Sequence, residues 1–172
     1  MENNLKEIIN EEIIENEILN NYTQIINEEC DLRTVRELRK IINSRYGILT
    51  LLNTYLYQYL ISKNENAKFS NILKNIRNEQ LKHLELLSDA IIKFGGVPKF
   101  NYGNNFWSSR FVNYDNLGSN IIRNNINTEN RSINLLNNAL KIIKNESLKS
   151  LLNELIRDKK RYIEIFTNFS NN

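Results

Sequence analysis

Asn78-Glu79-Gln80-Leu81-Lys82-His83-Leu84-Glu85-Leu86-Leu87, running on to Phe94-Gly95-Gly96-Val97-Pro98, is the stretch whose reading decides the fold. Ile72, Ile76, Gln80, His83, Leu87, Ala90, Ile91 and Phe94 recur at three- and four-residue steps, which places them on one face of a helix. The inner face thus carries the chain's single histidine. Gly95 and Gly96 stop the helix, because glycine takes the left-handed C-terminal conformation without a Cβ penalty. Pro98 has no N–H with which to continue it. Ser70 or a neighbour opens it.

The same period extends to both sides. Upstream, Asp31 is placed to cap a helix with the stripe Val35, Leu38, Ile41, Ile42, Leu49, Leu52, Leu56 and Leu60, followed by a polar loop at Lys63 to Lys68. No Asp or Glu lies between Glu37 and Glu65. Downstream, Phe100, Tyr102, Phe106, Trp107, Phe111 and Tyr114 make residues 99–115 too apolar for a floppy linker, and they read as a packed crossover along a bundle. A further helix starts near Asp115 to Ser119 with the stripe Ile122, Ile126, Glu129, Ile133, Leu136, Leu140 and Ile143. After a turn at Lys144-Asn145-Glu146, the last helix carries Leu148, Leu152, Leu155, Lys159, Tyr162, Phe166 and Phe169 on one face. Ahead of all of these, residues 5–28 read as an amphipathic helix, apolar at Leu5, Ile9, Ile13 and Ile18 and acidic at Glu11, Glu12, Glu15 and Glu17. The organisation is therefore an acidic N-terminal helix over 1–30, a four-helix bundle over 31–169 and a fraying tail over 170–172.

Bulk composition agrees with an all-α reading. A chain of 172 residues supports one domain with a real core, and five glycines with one proline leave little turn chemistry for many short strands. The net charge of +3 is scattered rather than striped, which argues against a nucleic-acid surface. Cys30 stands alone, so no intrachain disulfide forms, as suits a reducing compartment. Met1-Glu2-Asn3-Asn4 has no basic region of a secretory signal, and no apolar run reaches membrane-spanning length. The expectation is a soluble cytoplasmic protein that contacts neither nucleic acid nor membrane.

Three inner stripes are interrupted by polar residues near their middles: Gln80 with His83, Glu129, and Lys159 with Tyr162. Ile48 lies at the comparable level of the first bundle helix, with Arg45 a turn earlier. A buried carboxylate needs a counter-charge or it takes up a proton, so Glu129 calls for either a metal ion or Lys159 beside it. A dinuclear iron or manganese site in such a bundle takes a Glu from each of two helices and a Glu-x-x-His pair from each of the others. One carboxylate, one imidazole, one amide, one phenol and one ammonium do not supply that charge. A mononuclear alternative uses His83, Glu129 and Glu79, the last four residues from His83 on the same helix.

The chain resembles the ferritin-like superfamily, and within it the clostridial and bacillar rubrerythrin-like and manganese-catalase-like proteins, which include spore-coat relatives. The segments that carry the resemblance are Tyr55-Leu56-Tyr57, His83-Leu84-Glu85-Leu86-Leu87, Phe94-Gly95-Gly96-Val97-Pro98, Asn105-Phe106-Trp107-Ser108-Ser109, Phe111-Val112-Asn113-Tyr114 and Ile163-Glu164-Ile165-Phe166. It spans roughly residues 35 to 168 and leaves the N-terminal helix outside. The resemblance implies a four-helix bundle with a long crossover between its second and third helices, and metal-dependent peroxide or iron chemistry. Carried over position by position, the family's first-helix glutamate falls on Ile48, and the glutamate three before the histidine falls on Gln80. His83 and Glu129 keep the family residue, while the last Glu-x-x-His pair falls on Lys159 and Tyr162. On this reading the ammonium of Lys159 pairs with Glu129, and Gln80, His83 and Tyr162 complete the cluster by hydrogen bonds. The expected role is a catalytically inactive structural or interaction protein without a cofactor, spore-associated by analogy. It would assemble with itself or a protein partner through the N-terminal helix. The alternative is a divergent mononuclear iron or manganese protein with peroxide-related activity.

Overall fold

The computed structural model describes residues 22, 23, 29–115 and 119–170, without the side chain of Ser119. Apart from Tyr22 and Thr23, the helix expected over 5–28 lies outside the described residues. So do Asn171 and Asn172 of the expected tail, whereas Ser170 is the last residue of a helix.

Among the described residues five α-helices follow in order: α1 (Leu32–Asn43), α2 (Ile48–Ser62), α3 (Ala67–Lys93), α4 (Ser119–Leu140) and α5 (Glu146–Ser170). Side chains set the starts of α1, α3 and α5. Asp31 accepts from the N–H groups of Arg33 and Thr34 at 3.0 and 3.2 Å, and Asn66 accepts from Phe69 at 3.0 Å. Asn145 accepts from Leu148 at 2.8 Å. Each occupies an otherwise unpaired first-turn donor. The start expected at Ser70 thus moves back to Ala67, because Asn66 is the better-placed cap.

α2 packs along α3, and α4 along α5, as two helical hairpins with short connections. α1 lies against α3 and α4. The long connection that follows α3, described over residues 94–115, leads from the first hairpin toward the second. It contains a two-residue antiparallel ribbon, β1 (Asn101–Tyr102) with β2 (Asn105–Phe106), and a 3-10 turn at Ser109–Phe111. The crossover is tied to the bundle by specific bonds. Trp107 Nε1 donates to Thr50 Oγ1 at 3.0 Å, the Asn113 N–H donates to Thr54 Oγ1 at 3.2 Å, and Asn43 Nδ2 donates to the Lys99 carbonyl at 3.2 Å.

The first bundle helix is not continuous. It breaks between Ser44 and Gly47, both in extended conformation. A Cβ on Gly47 would lie 2.4 Å from the Ile41 carbonyl oxygen, so the tight turn admits glycine alone. The break resets the helical phase. Val35, Leu38, Ile41 and Ile42 are buried as the stripe requires, but beyond the break Tyr55, Gln58 and Ser62 face inward. Leu56 and Leu60, projected inward from a single helix, are 36% and 56% exposed. The stripes of α3 and α5 hold: Ile76, Gln80, His83, Leu87 and Ile91, and Leu148, Leu152, Leu155, Lys159, Tyr162 and Phe166 are all buried. No helix among the described residues is long and apolar enough to cross a membrane.

Candidate functional site

The polar residues of the inner stripes separate into two groups, one sealed and one at an edge. In the sealed group Glu129 of α4 and Lys159 of α5 are both 0% exposed. Lys159 Nζ donates to Glu129 Oε2 at 3.0 Å. The other carboxylate oxygen, Oε1, accepts from the phenol of Tyr55 of α2 at 2.6 Å. Burial, with the Glu129 charge added to it, raises the Tyr55 phenol well above its ordinary value, so it stays a neutral donor. One turn along, Gln58 and Asn125 exchange amide hydrogen bonds at 3.1 and 2.8 Å. Ile48, at the start of α2, is fully buried in the apolar cluster next to these groups.

The edge group centres on His83. A carboxylate only accepts, so His83 Nε2 carries the proton and donates to Asp158 Oδ2 of α5 at 3.0 Å. Tyr22 donates to the same oxygen at 2.6 Å. Thr23 fixes the segment beside it, its N–H and hydroxyl donating to Glu154 at 2.9 and 2.7 Å. Arg161 donates to Asp158 Oδ1 at 3.1 Å and to Glu79 Oε2 at 2.5 Å, and the Tyr162 phenol donates to Glu79 as well. An open cleft of about 350 Å³ lies over Tyr22, Glu79, Lys82, Asp158 and Arg161. Burial lowers the His83 imidazole from its ordinary value against the pull of Asp158, so the ring is neutral at pH 7. Asp158 is itself half-buried, which alone would raise its carboxyl. Hydrogen bonds from His83 and Tyr22 and the Arg161 charge outweigh that and hold it low.

The six positions expected to form one cluster therefore do not act as one. Glu129 and Lys159 pair; Tyr162 turns to Glu79 and His83 to Asp158. Both amide atoms of Gln80 and Nδ1 of His83 are buried without a hydrogen-bond partner among the described residues, so they do not complete the ion pair as expected. The trio His83, Glu129 and Glu79 is not assembled, because each has a different partner. No group of three His, Cys, Asp or Glu among the described residues is placed to hold a metal. Sequence reading missed Asp158, which lies one position from Lys159 and looks like an ordinary exposed acid. It also missed Tyr55, Gln58 and Asn125. Asn125 stands four residues before Glu129 on the same stripe, the one signal that was legible.

No protein-family model matches the sequence, and no curated protein matches it in sequence. Solved structures do match in shape. KatB, a manganese catalase from Anabaena PCC7120, superimposes with a TM-score of 0.80 over 87% of this chain and 77% of its own, at 20% identity. A structure of wild-type KatB gives 0.77 over 86% and 76%, also at 20% identity. The bacterioferritin of Desulfovibrio desulfuricans, whose structure describes a diiron site, gives 0.69 over 80% and 78% at 17% identity.

The chain has the ferritin-like fold.

That result corrects the expectation of a protein without a cofactor, which carried iron or manganese only as its alternative. Among the solved structures sharing this fold are those of a manganese catalase and of a bacterioferritin with a diiron site. Whether a pair of such ions fits the centre of this ferritin-like bundle is a question of donors. Glu129 is the carboxylate there, and its two oxygens already accept from Tyr55 and Lys159. An ammonium repels a metal cation and has no lone pair to offer it. The residues at this centre do not fit a dinuclear ion pair.

Proposed function

We propose that this ferritin-like bundle is a structural or protein-interaction component, catalytically inactive toward peroxide, with the acidic segment ahead of Tyr22 as its partner surface. One observation carries the reading: the ammonium of Lys159 sits 3.0 Å from Glu129 with both side chains fully buried. The centre of the bundle is thereby committed to an internal charge pair. A buried pair of this kind favours one arrangement of helices over slipped ones, because any other register strands a charge in apolar surroundings. Tyr22 and Thr23 support the partner role, since they fix the end of the acidic segment on α5 through Asp158 and Glu154. A spore setting rests on the family resemblance alone.

The test is peroxide turnover by the purified chain supplied with Mn²⁺ or Fe²⁺. The expected result is turnover no faster than that of the same metal salt without protein. Turnover above that background, abolished by Glu129→Gln, would overturn the reading.

A further inference from the structure

A third polar region lies away from both groups. The α1–α2 turn, the end of the crossover and the outer side of α4 enclose a cleft of about 470 Å³ lined by Arg45, Arg110 and Arg131. None of these three guanidinium groups has a carboxylate partner among the described residues. Instead they rest on aromatic rings. Arg45 and Arg131 lie 5.8 and 5.1 Å from the centroid of the Tyr46 ring, and Arg110 lies 5.5 Å from that of Phe111. Two like charges are thus gathered on one tyrosine, and an anion reaching both would relieve their repulsion.

The sequence keeps acids away from this place. Besides the acid-free run between Glu37 and Glu65, no Asp or Glu lies between Asp89 and Asp115, nor between Asp115 and Glu129. Apart from Asp115 and Arg131, the walls of the cleft come from these runs. Asp115 is the one acid in the lining, and its carboxylate accepts from Asn124 Nδ2 at 2.6 Å. Three arginines against one carboxylate leave the lining two positive charges in excess. The first turn of α2, which no side chain caps, borders the same cleft at Thr50 and adds the positive end of a helix.

We propose that this cleft binds a small organic phosphate, held by the guanidinium forks of Arg45 and Arg131 across Tyr46, with Arg110 also in the lining. A phosphate monoester carries about −1.5 to −2 charges near neutral pH, which matches the excess, and its oxygens suit the planar fork bidentately. The volume is that of a site for a nucleotide-sized molecule. A single concave cleft on a chain of scattered charge fits a small ligand better than a nucleic acid, which needs a continuous basic track. The proposal is independent of the role of the bundle centre and survives its failure.

Titration calorimetry of the full chain tests it with adenosine monophosphate, inorganic phosphate and a single-stranded oligonucleotide as probes. Saturable binding of the monophosphate at one site per chain is expected. Arg45→Ala or Arg131→Ala should weaken it about tenfold or more, and Arg131→Lys less, because a charged hydrogen bond is lost or only loosened. All three arginines are exposed, so circular dichroism of the variants should match the parent. Arg33→Ala, on exposed α1 surface, should leave binding unchanged. Inorganic phosphate binding as tightly as the nucleotide assigns the contact to the phosphate group, and tighter nucleotide binding adds its organic part; both support the site. No saturable binding of either, an equal loss in Arg33→Ala, or oligonucleotide binding that displaces the monophosphate and grows with length would overturn it.

Discussion

Two places in this bundle bring a carboxylate, a cation and a phenol together, and water separates them. In the middle, Glu129, Lys159 and Tyr55 are all 0% exposed. At the edge, Asp158 and Glu79 meet Arg161 and the phenols of Tyr22 and Tyr162, with the Arg161 side chain 52% exposed. The hydrogen-bond lengths are alike. The energetic meaning is not. Charges in the dry middle have no solvent to fall back on, so losing one member strands the other. At the edge, water and salt replace whatever is removed.

The sharpest way to break this comparison is to cut each pair. Lys159→Ala should destabilise by about 3–5 kcal/mol, read as a shift of the denaturation midpoint, because Glu129 keeps only the Tyr55 bond and a cavity opens. Adding Glu129→Gln to Lys159→Met should recover most of the loss seen in Lys159→Met alone, since no buried charge then lacks a partner. A double variant as unstable as the single would mean that packing, not charge, governs the middle.

Next in size comes the neutral neighbour of the buried pair. Asn125→Ala leaves the amide of Gln58 unpaired and should cost about 1–3 kcal/mol in chemical denaturation. The simultaneous change of Gln58 and Asn125 to leucine should cost less than Asn125→Ala.

The edge group is sharpened by pH. His83 is lowered in the folded chain, so below the ordinary imidazole value of 6.5 the unfolded chain takes up a proton that the native one refuses. Stability from the neutral ring is complete above that value and is lost as pH falls below it, by at most about 1.4 kcal/mol per pH unit. Asp158 is lowered too, and its contribution is complete above the ordinary carboxyl value of 3.8 and is lost only as pH falls below it. Of these two groups, only His83 contributes a change between those values. Thermal melts from pH 7 to pH 5 should show a falling midpoint that His83→Gln flattens; a slope kept in that variant would place the effect elsewhere.

The smallest effect should be that of Arg161→Ala, about 0–1 kcal/mol and weaker still at high salt. A loss as large as that of Lys159→Ala would erase the distinction between the two places.

Helix identities and the inner stripes of α3 and α5 were legible because a 3.6-residue period survives in residue types alone, whereas in α4 Ile121, Asn125, Ser132 and Ala139 are buried with Glu129 and Leu136 in place of Ile122, Ile126, Ile133 and Leu140. The stripes of α3 and α5 stand as the sequence reads, polar members included. The stripe of α2 does not, because the break at Ser44–Gly47 turns the helix and Gly47 gives no sign from its neighbours that a carbonyl will crowd it. The cap at Asp31 followed from local chemistry, whereas the cap at Asn145, the ribbon in the crossover and its ties to Thr50 and Thr54 did not.

By itself, then, the sequence determined that this is a helical bundle with Gln80, His83, Glu129, Lys159 and Tyr162 on its inner faces. Tertiary structure alone decided who meets whom: Lys159 with Glu129, His83 with Asp158 rather than with the centre, and Tyr162 with Glu79. The physical reason is that a helical period fixes the direction of a side chain around its own axis. The axial offset and rotation between helices, which bring two such directions to one point, are set by the packing of the whole core.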